Sequence, residues 1–141
     1  MIRPPADRRL RPVQRGRLAG EIVLAFLATA RELRRGPIDQ VVVRLRGRSG
    51  PLERPASAAH LWEAMRLGYA VDRVFRFLPG DTRCLRRSLV LLRLLSRRGI
   101  PARLVIAARS GPDFLAHAWL EYDGYAVLPA GDSSFGRLIE L

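Results

Sequence analysis

The sequence predicts an α+β domain, and three observations carry that prediction. Apolar residues recur every three or four positions through residues 18–98, glycine and proline cut that stretch into helix-length pieces, and residues 102–128 alternate with the two-residue period of strands. Helices come first and short antiparallel strands second. A chain of 141 residues has room for one domain with a core and not for two. Residues 1–17 are rich in proline and arginine with little apolar periodicity, so they read as a flexible basic arm ahead of a single domain spanning 18–141.

The first helix is expected from Leu18 to Arg35, where Ile22, Val23, Phe26, Leu27, Ala30 and Leu33 form one stripe and Gly36-Pro37 end it. Residues 38–50 are ambiguous: Val41, Val42 and Val43 suit a strand, whereas their flanks suit a short helix, which is the expectation. Ser57 can cap a helix running to about Phe77, which Pro79-Gly80 stop. Asp81 or Thr82 then caps a helix from Arg83 to Arg98, ended by Gly99, and Pro101 forces extended chain. Three strands follow, "ARLVIAAR", "FLAHAWLEY" and "YAVL", the last two joined by the turn Asp123-Gly124. No internal repeat is visible.

Composition narrows the function classes. The 25 basic residues, all arginine, face 13 acidic ones, for a formal net charge of +12. Such a chain attracts polyanions, whether nucleic acid, acidic membrane or acidic peptide. The arginines are dispersed, however, and not interleaved with aromatics as a single-strand-binding platform requires. GC-rich coding is an equally good source of an arginine-, alanine- and proline-rich chain. The single cysteine cannot form an internal disulfide, which fits a cytoplasmic protein. The run "IVLAFLATA" is short, follows Glu21 and lacks a small-residue cleavage site, so no secretory signal and no membrane span are expected.

Two residues bear chemistry. Cys84 falls in the first turn of its helix, where unpaired backbone N–H groups and the helix dipole favour an anion and could also hold an oxyanion. Arg83, Arg86 and Arg87 beside it read as a solvated face that adds to that effect. Taken alone, Cys84 reads more readily as a small core residue, because Cys84, Ser88, Leu91 and Leu95 share one stripe. His117 lies on a strand face with Leu115, Trp119 and Glu121, a position where a satisfied structural histidine is the commoner case. The pair counts for more than either member, since a cysteine at a helix start needs an imidazole from another element to take its proton. His60 reads as a surface or packing residue, Trp62 as core, and Trp119 as core or as cleft lining beside His117. One cysteine and two distant histidines give no metal-ligand spacing, and no phosphate-binding glycine loop occurs.

The stretches "TRCLRRSLVLLRLLSRRGIPARLVIAAR" and "FLAHAWLEYDGYAV" resemble the lasso-peptide leader peptidases, small cysteine proteases of the transglutaminase-like superfamily. The resemblance covers about residues 64–128 and implies a papain- or transglutaminase-like core with Cys84 as nucleophile and His117, 33 residues on, as base. It implies cleavage of the leader from a ribosomally made lasso precursor peptide, with no cofactor and no metal. It also implies a separate leader-recognition protein and an ATP-dependent lasso cyclase as partners. Many relatives carry an aspartate twelve residues after the histidine; here that position is Pro129. Asp132 is the expected substitute, because Glu121 is too far along the strand from His117 and Asp123 is spent in the hairpin turn. The rival classes are a peptidase-like scaffold that has lost activity, favoured by Pro129, and a basic nucleic-acid-binding module, favoured by the charge. Selective nucleic-acid recognition is not expected, since no motif for it is present.

Overall fold

The computed structural model describes residues 10–47, 55–78, 84–112, 115–130 and 134–141. Four helices precede four strands: α1 (Pro12–Leu33), α2 (Ile38–Arg46), α3 (Ala58–Phe75), α4 (Cys84–Arg97), β1 (Arg103–Arg109), β2 (Leu115–Tyr122), β3 (Tyr125–Ala126) and β4 (Gly136–Glu140). The α+β arrangement expected from the sequence is what the chain adopts.

Helix α1 begins at Pro12, not Leu18, so residues 12–17 are helical and not part of a loose arm. Proline at the first helical position has a ready-made φ and lacks only an N–H that would be unpaired there, and the Gln14 side chain accepts the Arg11 N–H at 3.0 Å. The remainder of that arm, residues 1–9, lies outside the described residues. Helix α2 resolves the ambiguity of the valine run: Val41, Val42 and Leu45 are buried while Val43 is exposed, and burial of one helical stripe outweighs β-branched preference. In α3, Ser57 Oγ accepts the His60 N–H at 3.4 Å, as a capping serine should. The stop and cap expected at residues 79–82 fall outside the described residues. Helix α4 ends where Gly99 turns left-handed (φ 68°) and the Ile100 N–H bonds Leu95 O at 3.0 Å.

Helix α4 is the centre of the molecule, touching α1, α2, α3, β1 and β2. Leu89, Val90, Leu91, Leu92, Leu94 and Leu95 are all fully buried, covering every side of the helix, which a helix wrapped by neighbours requires. Its stripe of Ser88, Leu91 and Leu95 is buried to the end, and only Cys84 at its tip is half-buried.

The sheet is antiparallel throughout, in the order β3-β2-β1-β4. Asp123 (φ 50°) and Gly124 (φ 77°) make the tight turn expected between β2 and β3. The third strand is shorter than "YAVL": the Val127 N–H makes a last bond to Leu120 O, and the chain then turns away with Val127 and Leu128 buried. Strand β4 was not expected at all. It begins with a glycine, presents only two apolar residues and is exposed along its length, so its conformation comes from pairing with β1 and not from its own pattern. Arg46 pins this edge, donating from Nη2 to Ala102 O at 2.9 Å and Leu141 O at 2.8 Å. Burial, then the Arg103 charge, push the Arg46 pKa down from the usual guanidinium value.

Candidate active site

Cys84 is the first residue of α4, and α4 packs on β2, which carries His117. The contact between the two elements is made at the site itself: Cys84 Sγ accepts the Ala118 N–H at 3.4 Å. That N–H is available for a topological reason. In an antiparallel ladder, alternate residues point their polar groups to the same edge, and Leu120 O faces β3's side, where it accepts the Val127 N–H at 2.9 Å. Ala118, two residues back, points its N–H to that same edge, beyond the end of the two-residue strand β3. The sulfur occupies the vacated position. It therefore meets one backbone donor from β2 and sits in the first turn of α4.

His117 is half-buried and held on three sides. Its Nε2 is 2.7 Å from Pro129 O. A carbonyl oxygen only accepts, so Nε2 carries the proton in the neutral ring and Nδ1 carries the lone pair. Trp119 stacks on the ring (centroids 5.7 Å apart, planes at 30°) and Phe135 packs at 6.0 Å. Trp119, itself buried, is fixed in turn: its Nε1 donates to Glu121 Oε1 at 3.0 Å, and Arg137 both pairs with Glu121 at 2.7 Å and lies over the indole. The hydrogen bond to Glu121 holds Arg137 above the usual guanidinium range, and that to Arg137 holds Glu140 below the usual carboxylate range.

The acids stand as follows. Glu121 serves Trp119 and Arg137, and Asp123 has the left-handed turn conformation, so neither serves His117. Asp132 lies outside the described residues, as do Arg83, Asp81 and Thr82. Twelve residues after His117, the backbone of Pro129 supplies the acceptor that its side chain lacks. No side-chain motif could have disclosed this. The loop that presents it, Val127–Pro129, is set by α3: a Cβ on Gly68 would overlap Val127 O.

The arginines beside Cys84 do more than line a solvated face. Arg86 lies over Phe26 at 5.8 Å, and Arg87 lies over Phe75 while pairing with Asp72 at 2.8 Å. They clamp the first turn of α4 to α1 and α3. His60 packs edge-on to Tyr122, and Trp62 is half-buried rather than core. Among the described residues, no three His, Cys, Asp or Glu side chains converge, and no helix is long and apolar enough to cross a membrane.

No significant match appears among curated proteins or among solved structures. The family model described as the transglutaminase-like superfamily matches residues 23–140, a span that runs from the middle of α1 to the end of β4 and includes Cys84, His117 and Pro129. With a helix-first, sheet-second core that presents a cysteine at a helix start against a histidine-bearing strand, this chain belongs to the transglutaminase-like superfamily, which includes cysteine peptidases.

Proposed function

We propose that the protein is a cysteine peptidase that removes the leader from a ribosomally synthesised lasso precursor peptide, with Cys84 as nucleophile and His117 as base. One observation carries the reading: Cys84 Sγ lies 3.4 Å from the N–H of the residue next to His117, whose ring is tethered through Nε2 so that Nδ1 is the free base. Sγ attacks the scissile carbonyl carbon as its proton passes to Nδ1. The C–N bond then breaks, Nδ1 returns the proton to the departing amine, and a thioester remains. Water, deprotonated by the same nitrogen, hydrolyses the thioester and frees the leader's new carboxylate. The backbone N–H groups of the α4 first turn are the candidate oxyanion donors.

In this reading the third member is the Pro129 carbonyl in preference to Asp132. A carbonyl orients the ring but brings no full charge to stabilise the imidazolium, so catalysis is slower than with a carboxylate yet not abolished. A leader-recognition protein and an ATP-dependent cyclase are the proposed partners, the cytoplasm the proposed compartment, and no cofactor is required. The test is cleavage of a leader-bearing lasso precursor peptide, followed by mass spectrometry, with a leader-recognition protein and a lasso cyclase present. Cys84→Ala is expected to end cleavage with the fold intact, and Asp132→Asn to leave turnover within about threefold of the parent. Near-parental cleavage by Cys84→Ala rejects the protease reading; a loss of about a hundredfold in Asp132→Asn returns the orienting role to that acid.

A further inference from the structure

A trough of about 450 Å³ opens between α1 and α3, lined by neither Cys84 nor His117. Leu18 and Ile22 lie along its α1 wall, and Tyr69 on α3 and Phe77, two residues past the end of α3, stand at 65% and 83% exposure. Two large aromatics standing in solvent beside a hollow have the composition of an interface, not of ordinary surface. Charge says what the interface would take. Arg66 at the trough is already paired with Glu63 through two hydrogen bonds, but Arg15 and Arg73 meet no carboxylate among the described residues. Elsewhere carboxylates are scarce enough to be shared, Glu32 by Arg35 and Arg44, Asp72 by Arg76 and Arg87. The trough thus combines apolar walls with two uncompensated guanidinium groups.

A second copy of a chain with net charge +12 is a poor occupant, and so is its own opening segment, where Arg3, Arg8 and Arg9 outnumber Asp7. We infer that the α1–α3 trough is a docking site for an acidic, amphipathic segment of a partner polypeptide, whose apolar side chains enter between the helices while its carboxylates pair with Arg15 and Arg73. The site does not depend on the chemistry assigned to Cys84. It gives the arginine excess one definite address.

The test is selection of a random linear peptide library on the intact protein, with counter-selection on the Arg15→Glu/Arg73→Glu variant, followed by fluorescence anisotropy of the recovered peptides. Recovered sequences are expected to combine Asp or Glu with Leu, Ile, Phe or Trp. Their affinity should fall about tenfold or more in Arg73→Glu and in Phe77→Ser, and no more than about twofold in Arg34→Glu, which makes the same charge change away from the trough. Both test residues are exposed, and circular dichroism checks that the variants fold. Recovery of peptides without acidic residues overturns the inference. So does an equal loss in Arg34→Glu, which would mean diffuse attraction, and so does a dimer in sedimentation that Phe77→Ser dissociates, which would make a second copy the occupant.

Discussion

A neutral imidazole holds one proton, and at His117 the Pro129 carbonyl decides which nitrogen has it. Ring ¹⁵N chemical shifts should accordingly report the Nε2–H tautomer for His117 in the neutral state, with Nδ1 unprotonated; an Nδ1–H tautomer would remove the base that the proposed mechanism gives Cys84. The same accounting identifies a misfit in the core. Thr29 is 1% exposed and its hydroxyl has no hydrogen-bond partner among the described residues. Valine has nearly the same shape without the unsatisfied group, so Thr29→Val is expected to raise unfolding free energy by about 1 kcal/mol in a denaturant titration. A lower midpoint would mean that the hydroxyl is satisfied in solution.

Between elements, the sharpest constraint is the approach of α3 to the chain after β3. Gly68 is there because a methyl group would strike Val127 O, which lies two residues before the carbonyl that holds His117. Gly68→Ala should cost about 1–3 kcal/mol by forcing α3 and this segment apart. It should also lower kcat more than it raises KM, since the imbalance falls on His117 orientation rather than on substrate contacts. A stable, fully active Gly68→Ala protein would mean that the Val127–Pro129 segment moves freely and does not position the ring. The central helix shows how much of this level was legible beforehand. A leucine-rich stretch ended by Gly99-Ile100-Pro101 reads as a helix with a glycine stop, and it is one; that neighbours wrap it on every side is what the structure adds. Strand β4 was not legible, because "GRLIE" has no alternation to read and owes its form to hydrogen bonds from β1.

Across the whole molecule, the described glutamates and Asp72 are already in ion pairs, and the surplus arginines repel one another through solvent. Because exposed pairs contribute little and net repulsion is long-ranged, moving from low to physiological ionic strength should raise the melting temperature. A fall on adding salt would mean that the ion pairs outweigh the repulsion. The same charge gives weak binding to DNA that disappears over that salt range; selective binding that survived it would favour the nucleic-acid-binding reading over the peptidase.

The sequence by itself determined the order of helices and strands, the capped ends at Ser57 and Gly99, the hairpin turn at Asp123-Gly124, and the two residues worth suspecting, since all of these follow from local periodicity, backbone preference and residue chemistry. It also disclosed that Pro129 stands where the resemblance leads one to expect an aspartate. What it could not disclose is the replacement's effect, because a proline side chain offers no acceptor and the carbonyl that does the orienting is common to every residue. Only the tertiary structure, with Gly68 admitting the Val127–Pro129 segment against α3 and the short β3 leaving the Ala118 N–H free for Cys84, decided which backbone groups face the thiol and the imidazole. Backbone groups carry no sequence signature, and their direction is set by the packing of elements distant along the chain.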